Sequence, residues 1–282
     1  MPITFTRPLL ATEHGEFDTG AEAVAFALAR RCGLPLAGVL PVLGNPEFEA
    51  VAPQLAARAD AEASVKREHL VAQAQAAGVA LELCVRHGPE PYAEIVEEAR
   101  GRASDLIVIR RRGRRGLLAN LLIGEMVSKV VAHAPCSVLV ALRGAQMWSR
   151  GVLVGLDPQA PDMALLDEAA AIAVESALPL RLVCVAANRD AQAAAQQVLD
   201  RALLQARRHG GQALGELRIG RAHEELVAAA QACGADLLVV ARHGAGPLGR
   251  VWIGGTAQKV TGLAHCPVLI HVNHPPRETA TI

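Results

Sequence analysis

A chain of 282 residues with 28 basic and 28 acidic side chains has no formal net charge, which argues against bulk electrostatic binding to nucleic acid or an anionic membrane. Hydrophobic residues make up 51% and aromatics only 2%, so the core must be aliphatic, and the length suits two domains of about 140 residues each. No apolar run approaches the ~20 residues of a membrane span and the N-terminus has no signal-like apolar core, so a soluble cytoplasmic protein is expected.

Taken in order, the chain alternates apolar strand-like runs with helix-like segments. Strands are expected near 8–12, 36–42, 80–86, 105–109 and 137–142, with helices near 18–32, 47–77, 90–101 and 122–133. The alternation then repeats, with strands near 151–156, 180–186, 213–219, 236–241 and 267–272 and helices near 162–176, 191–209, 222–233 and 254–264. Continuous apolar strands alternating with helices predict α/β domains with parallel sheets covered on both faces. The six cysteines, Cys32, Cys84, Cys136, Cys184, Cys233 and Cys266, form no CxxC pair and read as free thiols.

The two series are one unit written twice. Leu9-Leu10-Ala11-Thr12-Glu13 matches Leu153-Val154-Gly155-Leu156-Asp157, and Gly33-Leu34-Pro35-Leu36 matches Ala177-Leu178-Pro179-Leu180, both at an offset of 144 residues. Ser104-Asp105-Leu106-Ile107-Val108 matches Ala235-Asp236-Leu237-Leu238-Val239 at an offset of about 130. The second copy has therefore lost a segment, placed in the helix over 47–77, whose counterpart covers only 191–209. Domains are expected over 1–145 and 149–273, followed by a tail over 274–282.

An apolar strand, Leu237 to Val240, feeds a loop carrying Gly244, Gly246, Gly249, Gly254 and Gly255 and then a helix from Thr256. That order suits an anion, because glycines admit close backbone approach and a helix N-terminus offers unpaired N–H groups. Glycines making a tight turn, with Asp157 capping the next helix and His243 merely exposed, are the plainer alternative. His223, Glu224 and Glu225 read as charges at a helix start.

Two copies, an acidic residue ending each first strand and a G-x2-G-x9-G-(S/T)-type loop after the fourth strand resemble a tandem universal stress protein. The resemblance covers about 8–272, and His133-Ala134-Pro135-Cys136-Ser137-Val138-Leu139-Val140 is especially similar to that family. It implies two Rossmann-like domains, each a five-stranded parallel sheet in order 3-2-1-4-5, paired antiparallel through their fifth strands. It also implies ATP as ligand, with or without Mg2+. In the second copy the matching residues are Asp157 on the ribose side, Val185 whose main chain reads adenine, Ala241, Arg242, His243 and Gly244 in the phosphate loop, and Gly254, Gly255 and Thr256 at the helix start. Arg242 and His243 would oppose phosphate charge. Ala241 and Gly255 depart from the family pattern, which has glycine and Ser or Thr there, and Thr256 could supply the hydroxyl one position later.

The first copy departs further. Its loop runs Arg110-Arg111-Arg112-Gly113-Arg114-Arg115-Gly116, ten residues separate Gly113 from Gly124, and Glu125 stands at the Ser/Thr position. Pro41 aligns with Val185 and has no N–H to offer. Its arginines either attract another anion, or are solvated, or close the pocket by pairing with Glu125. P-loop, G-x-S-x-G and H-E-x-x-H motifs are absent, so no catalytic residue is expected and any ATP hydrolysis would be slow and incidental. The expectation is a stress-response regulator that binds ATP in its second domain and acts on a protein partner, with homodimerisation left open. A nucleotide-free tandem protein working through its surfaces, or an adenylating enzyme, are the rivals.

Overall fold

A computed structural model describes residues 4–13, 20–44, 50, 52–111, 124–242 and 253–273. The first half comprises β1 (Pro8–Ala11), α1 (Ala21–Cys32), β2 (Leu36–Leu43), α2 (Pro53–Ala76), β3 (Leu81–Gly88), α3 (Pro91–Gly101), β4 (Leu106–Arg110), α4 (Glu125–His133) and β5 (Ser137–Ala141). The second repeats it with β6 (Val152–Leu156), α5 (Met163–Glu175), β7 (Leu180–Ala186), α6 (Gln192–Arg208), β8 (Ala213–Ile219), α7 (Ala222–Cys233), β9 (Leu237–Ala241), α8 (Gly255–Leu263) and β10 (Val268–His271).

Central strands without a polar break, such as β1 and β6, are buried along their whole length because helices cover both faces. The strands join one ten-stranded sheet in order β3-β2-β1-β4-β5-β10-β9-β6-β7-β8. Among the described strands, pairing is parallel within each half and antiparallel between β5 and β10, where Leu139 lies opposite Leu269. Each half thus has the order 3-2-1-4-5 and the two meet through their fifth strands. The lost segment is visible as well: α2 has 24 residues and its counterpart α6 has 17.

Helices follow the 3.6-residue period, as in α1, which buries Ala21, Val24, Ala25, Leu28 and Ala29. It stops at Gly33, whose φ of 63° suits glycine. The equivalent turn after α5 uses Ala177 at φ 54°, and after α3 Ala103 takes φ 48° where α7 ends in Gly234 at 69°. Each half therefore has one glycine and one alanine at these two left-handed positions, exchanged between the copies.

A carboxylate before the fourth strand anchors the segment entering the first. Asp105 accepts hydrogen bonds from the N–H groups of Thr6 and Arg7 at 2.7 and 2.9 Å. Asp236 accepts from Ser149, Arg150 and Gly151 at 2.8–3.0 Å. The stretch that joins the two halves packs inward: Ala145 and Trp148 are buried, and the Trp148 indole N–H donates to Ser176 Oγ at 3.2 Å. All six cysteines are free thiols, and burial first of all pushes Cys32, Cys84, Cys184 and Cys266 up to about 11. Such thiols stay protonated near neutrality, without the thiolate a nucleophile needs.

Candidate nucleotide site

In a doubly wound sheet the ligand crevice opens at the carboxyl ends of the strands where their order reverses. Here that place lies between β6 and β9. Their pairing runs from Val152·Leu237 to Val154·Val239, whereas β1 and β4 continue one pair further, to Ala11·Ile109. The second half thus parts one residue earlier beneath its crevice.

Six of the expected residues, Asp157, Ala241, Arg242, Gly254, Gly255 and Thr256, lie at or just beyond the ends of these strands or at the opening of α8. Asp157 follows β6 directly, half-buried, and its Oδ1 accepts the Gln159 N–H at 2.8 Å. It does not cap α5: Asp162 does, accepting from the amides of Ala164 and Leu165 at 3.0 and 3.1 Å. Val185 sits one residue from the end of β7, a strand that outruns β6, whose pairing with it ends at Leu156·Cys184. The Ala186 carbonyl faces β8, where it accepts the Gly220 N–H at 2.9 Å, so the alternation of a strand turns the Val185 main chain toward the end of β6. That direction suits the adenine-reading role assigned to it.

Helix α8 opens toward this space. Gly254 is its N-cap residue, with no side-chain cap, and Gly255 and Thr256 are exposed. A Cβ placed on Gly255 would meet nothing within 4 Å. First-turn amides have no carbonyl four residues back within the helix, so those of Gly255 and Thr256 suit an anion. The Gly254 N–H is already committed, donating to the Arg242 carbonyl at 2.8 Å. His243 and Gly244 lie outside the described residues.

Arg242 corrects an expectation. Its guanidinium does not stand over the crevice: Nη1 donates to the carbonyls of Val131, Ala132 and Ala134, at 3.4, 3.1 and 3.4 Å, at the end of α4 in the other half. Arg111 does the mirror-image thing, with Nη1 donating to Thr261, Gly262 and Ala264 at 2.7, 3.0 and 3.0 Å at the end of α8. The last carbonyls of a helix lack intrahelical donors and carry the negative end of its dipole, so a cation belongs there. Burial pulls the pKa of both guanidinium groups below the ordinary arginine value, without leaving them neutral. The sequence carried one clue: an arginine one residue past each fourth strand, at the same place in both repeats.

The corresponding place in the first half holds an ion pair. Arg110, in place of Ala241, lies 3.5 Å from Glu13, in place of Asp157, and both are almost fully buried. Among the described residues Glu125 is not part of this pair. It is 84% exposed and pairs with Lys129 at 3.2 Å, one helical turn along α4. Behind this, Thr12 donates to Glu22 at 2.8 Å and Lys66 pairs with the same carboxylate, all of them buried. Registers pairing Leu36 with Leu81 and Leu180 with Ala213 place Leu156, Leu166 and Val198 at those positions in the second half. The remainder of the arginine-rich loop, 112–123, lies outside the described residues.

Glu224 and Glu225 do lie in the first turn of α7, where Glu225 pairs with Arg218 at 3.2 Å. Among the described residues no group of three or more His, Cys, Asp or Glu could hold a metal ion, and no helix is long and apolar enough to cross a membrane.

Comparison with known proteins fits this architecture. The universal stress protein family model matches residues 5–141 and again 149–271, so the chain belongs to the universal stress protein family and carries two of its domains. A universal stress protein encoded in the QAH/OAS sulfhydrylase 3' region of Thermus aquaticus is 36% identical over 143 residues, which are 48% of this chain and 98% of that protein. Universal stress protein Sll1388 of Synechocystis is 41% identical over 73 residues; the match spans 26% of this chain and 46% of that protein. The crystal structure of a universal stress protein from Archaeoglobus fulgidus superposes with a TM-score of 0.74 at 16% identity, over 96% of this chain and 97% of that one, which is a likeness of fold.

Proposed function

We propose that the second domain binds an adenine nucleotide, ATP in the first instance, and that the first domain is its structural partner. The observation that carries this is the contrast between the two crevices. Around α8 there is an uncapped helix start with Gly255 and Thr256 exposed, and beneath it a strand pair that parts early. The first half has the Glu13–Arg110 pair in the same place. Phosphate would lie against the amides of Gly255 and Thr256, with the Thr256 hydroxyl beside it, and Asp157 would reach the ribose. A magnesium ion would come with the nucleotide, held by its phosphates and waters.

Among the described residues no acid–base pair or nucleophile accompanies the site, so we assign binding and not turnover, and any hydrolysis would be slow. The bound nucleotide would alter the surface around α8 presented to a protein partner in the stress response. Six free thiols suit the reducing cytoplasm. A nucleotide-free protein acting through its surfaces is the second reading, favoured by the commitment of Arg242 to α4 and of the Gly254 N–H to a carbonyl. Calorimetry with ATP, ADP and AMP, each with and without magnesium, separates the two. Saturable binding at one site per chain supports the first reading, and no heat at millimolar nucleotide supports the second.

A further inference from the structure

The geometry points to Arg111, in the first domain, as a positioning residue for the nucleotide site of the second; this rests on the nucleotide reading above. The two cross-domain arginines are related by the pseudo-two-fold axis, yet they are not equivalent. Arg111 reaches its three carbonyls at 2.7–3.0 Å, Arg242 its three at 3.1–3.4 Å. The helices they hold differ too. Helix α4 has Glu125 in its first turn, His133 in its last and the Glu125–Lys129 pair along its side, all of which favour it without outside help.

Helix α8 has none of these. Its nine residues, GTAQKVTGL, include two glycines and two threonines, with no acidic residue in the first turn and no basic one in the last. Glycine and threonine are poor helix formers, and a helix this short has little stability of its own. What holds it is burial of Ala257, Val260 and Thr261, together with the guanidinium at its rear. Its front is where phosphate would sit. Amides can be presented in a fixed direction only if the helix is fixed, and a cation at the carboxyl end also neutralises the negative pole that would oppose an anion at the other. Arg111 meets both needs, and it enters from the half that has the Glu13–Arg110 pair in the corresponding place. The first domain is then part of the binding machinery without touching the ligand.

Calorimetric titration with Mg-ATP tests this on the full chain, comparing wild type with Arg111→Met, Arg111→Lys and Arg31→Ala. Methionine keeps an apolar stem and removes the charge and its donors. Lysine keeps a cation at the helix end. Arg31→Ala removes a different cross-domain bond, Arg31 to Ser176 Oγ, far from α8. Expected is a loss of about tenfold in affinity for Arg111→Met, recovery to within about threefold of wild type for Arg111→Lys, and wild-type affinity for Arg31→Ala. Faster amide exchange in Gly255–Leu263 should accompany the loss. Wild-type affinity in a folded Arg111→Met protein overturns the positioning role and leaves the site assignment standing. If wild type binds no adenine nucleotide, the site assignment fails and takes the role with it. Should Arg111→Met not fold, Arg111→Gln replaces it, and undiminished affinity there overturns the role in the same way.

Discussion

Glu13 and Arg110 approach to 3.5 Å at the carboxyl ends of β1 and β4, at the two positions the second half gives to Asp157 and Ala241. One substitution at the exit of each strand puts a buried ion pair where the second half has an aspartate and an alanine. The carboxylate that matches Asp157 faces a buried cation, and the arginine that matches Ala241 has an anion of its own.

The same contrast can be imposed on the second site. Gly255→Glu copies Glu125 of the first half, and its Cβ meets nothing within 4 Å. An acid in the first turn favours a helix by about 0.3–1 kcal/mol, so the melting temperature should hold or rise. Nucleotide affinity should fall by more than about tenfold, because a negative charge in the first turn of α8 repels phosphate even when it pairs with Lys259 one turn along. Thermal shift and calorimetry on one preparation read both effects, and unchanged affinity would move the phosphate elsewhere.

Left-handed turns offer a test of backbone energetics. Ala103 and Ala177 hold φ values of 48° and 54° where the other copy uses glycine. A left-handed residue with a Cβ costs about 1–2 kcal/mol, partly offset by the greater freedom glycine has when unfolded. Ala103→Gly and Ala177→Gly should each stabilise by about 0.5–1 kcal/mol and add nearly independently, as distant sites do. Urea denaturation measures this, and destabilisation by either glycine contradicts it.

The buried Thr12–Glu22–Lys66 cluster should behave as a unit. Lys66→Met leaves a buried carboxylate without its cation and should cost about 3–5 kcal/mol. Replacing all three by the residues of the second half, Thr12→Leu with Glu22→Leu and Lys66→Val, should recover most of that loss, since apolar side chains fill those places there. A triple variant no more stable than the single one, in denaturant melts, would show that the cluster is not interchangeable with its apolar counterpart.

His271 joins the halves through Glu168, with Nδ1 at 2.6 Å from Oε2, and Glu168 also accepts from Ser137 on β5 at 2.9 Å. Burial disfavours the imidazolium, but Glu168, Asn273 and the charge of Asp162 outweigh it and raise the pKa above that of an ordinary histidine. A raised folded-state pKa means stability that is complete below the unfolded value, about pH 6.5, and lost as pH climbs through the folded one. The stability gap between wild type and His271→Gln should therefore be larger near about pH 6 than near about pH 9. Denaturation across that range reads it, and a gap that widens with pH reverses the sign.

Much of the architecture could be read from the residues, because repetition and apolar period are properties of the chain itself. Leu9-Leu10-Ala11 and Leu153-Val154-Gly155 announce equivalent central strands, and the shortened helix over 191–209 shows in the changed offset. The fate of individual charges was less visible. Nothing local links Arg242 to Val131, Ala132 and Ala134, since the acceptors are main-chain carbonyls that any residue would supply. Pairing of Glu125 with a loop arginine was one of three readings; among the described residues it pairs with Lys129, one turn away on the same helix. The cap of α5 falls to Asp162 and not Asp157 because the segment between them extends the exit from β6 before the helix begins.

The antiparallel contact of β5 with β10 lies within a single polypeptide. Two separate subunits joined in that way would come apart on dilution, whereas here the connecting peptide keeps the local concentration of each half fixed for the other. Unfolding should then be independent of protein concentration as far as this seam is concerned. Neither half need remain able to recognise a copy of itself, which leaves the amino-terminal one at liberty to give up a ligand and serve its neighbour.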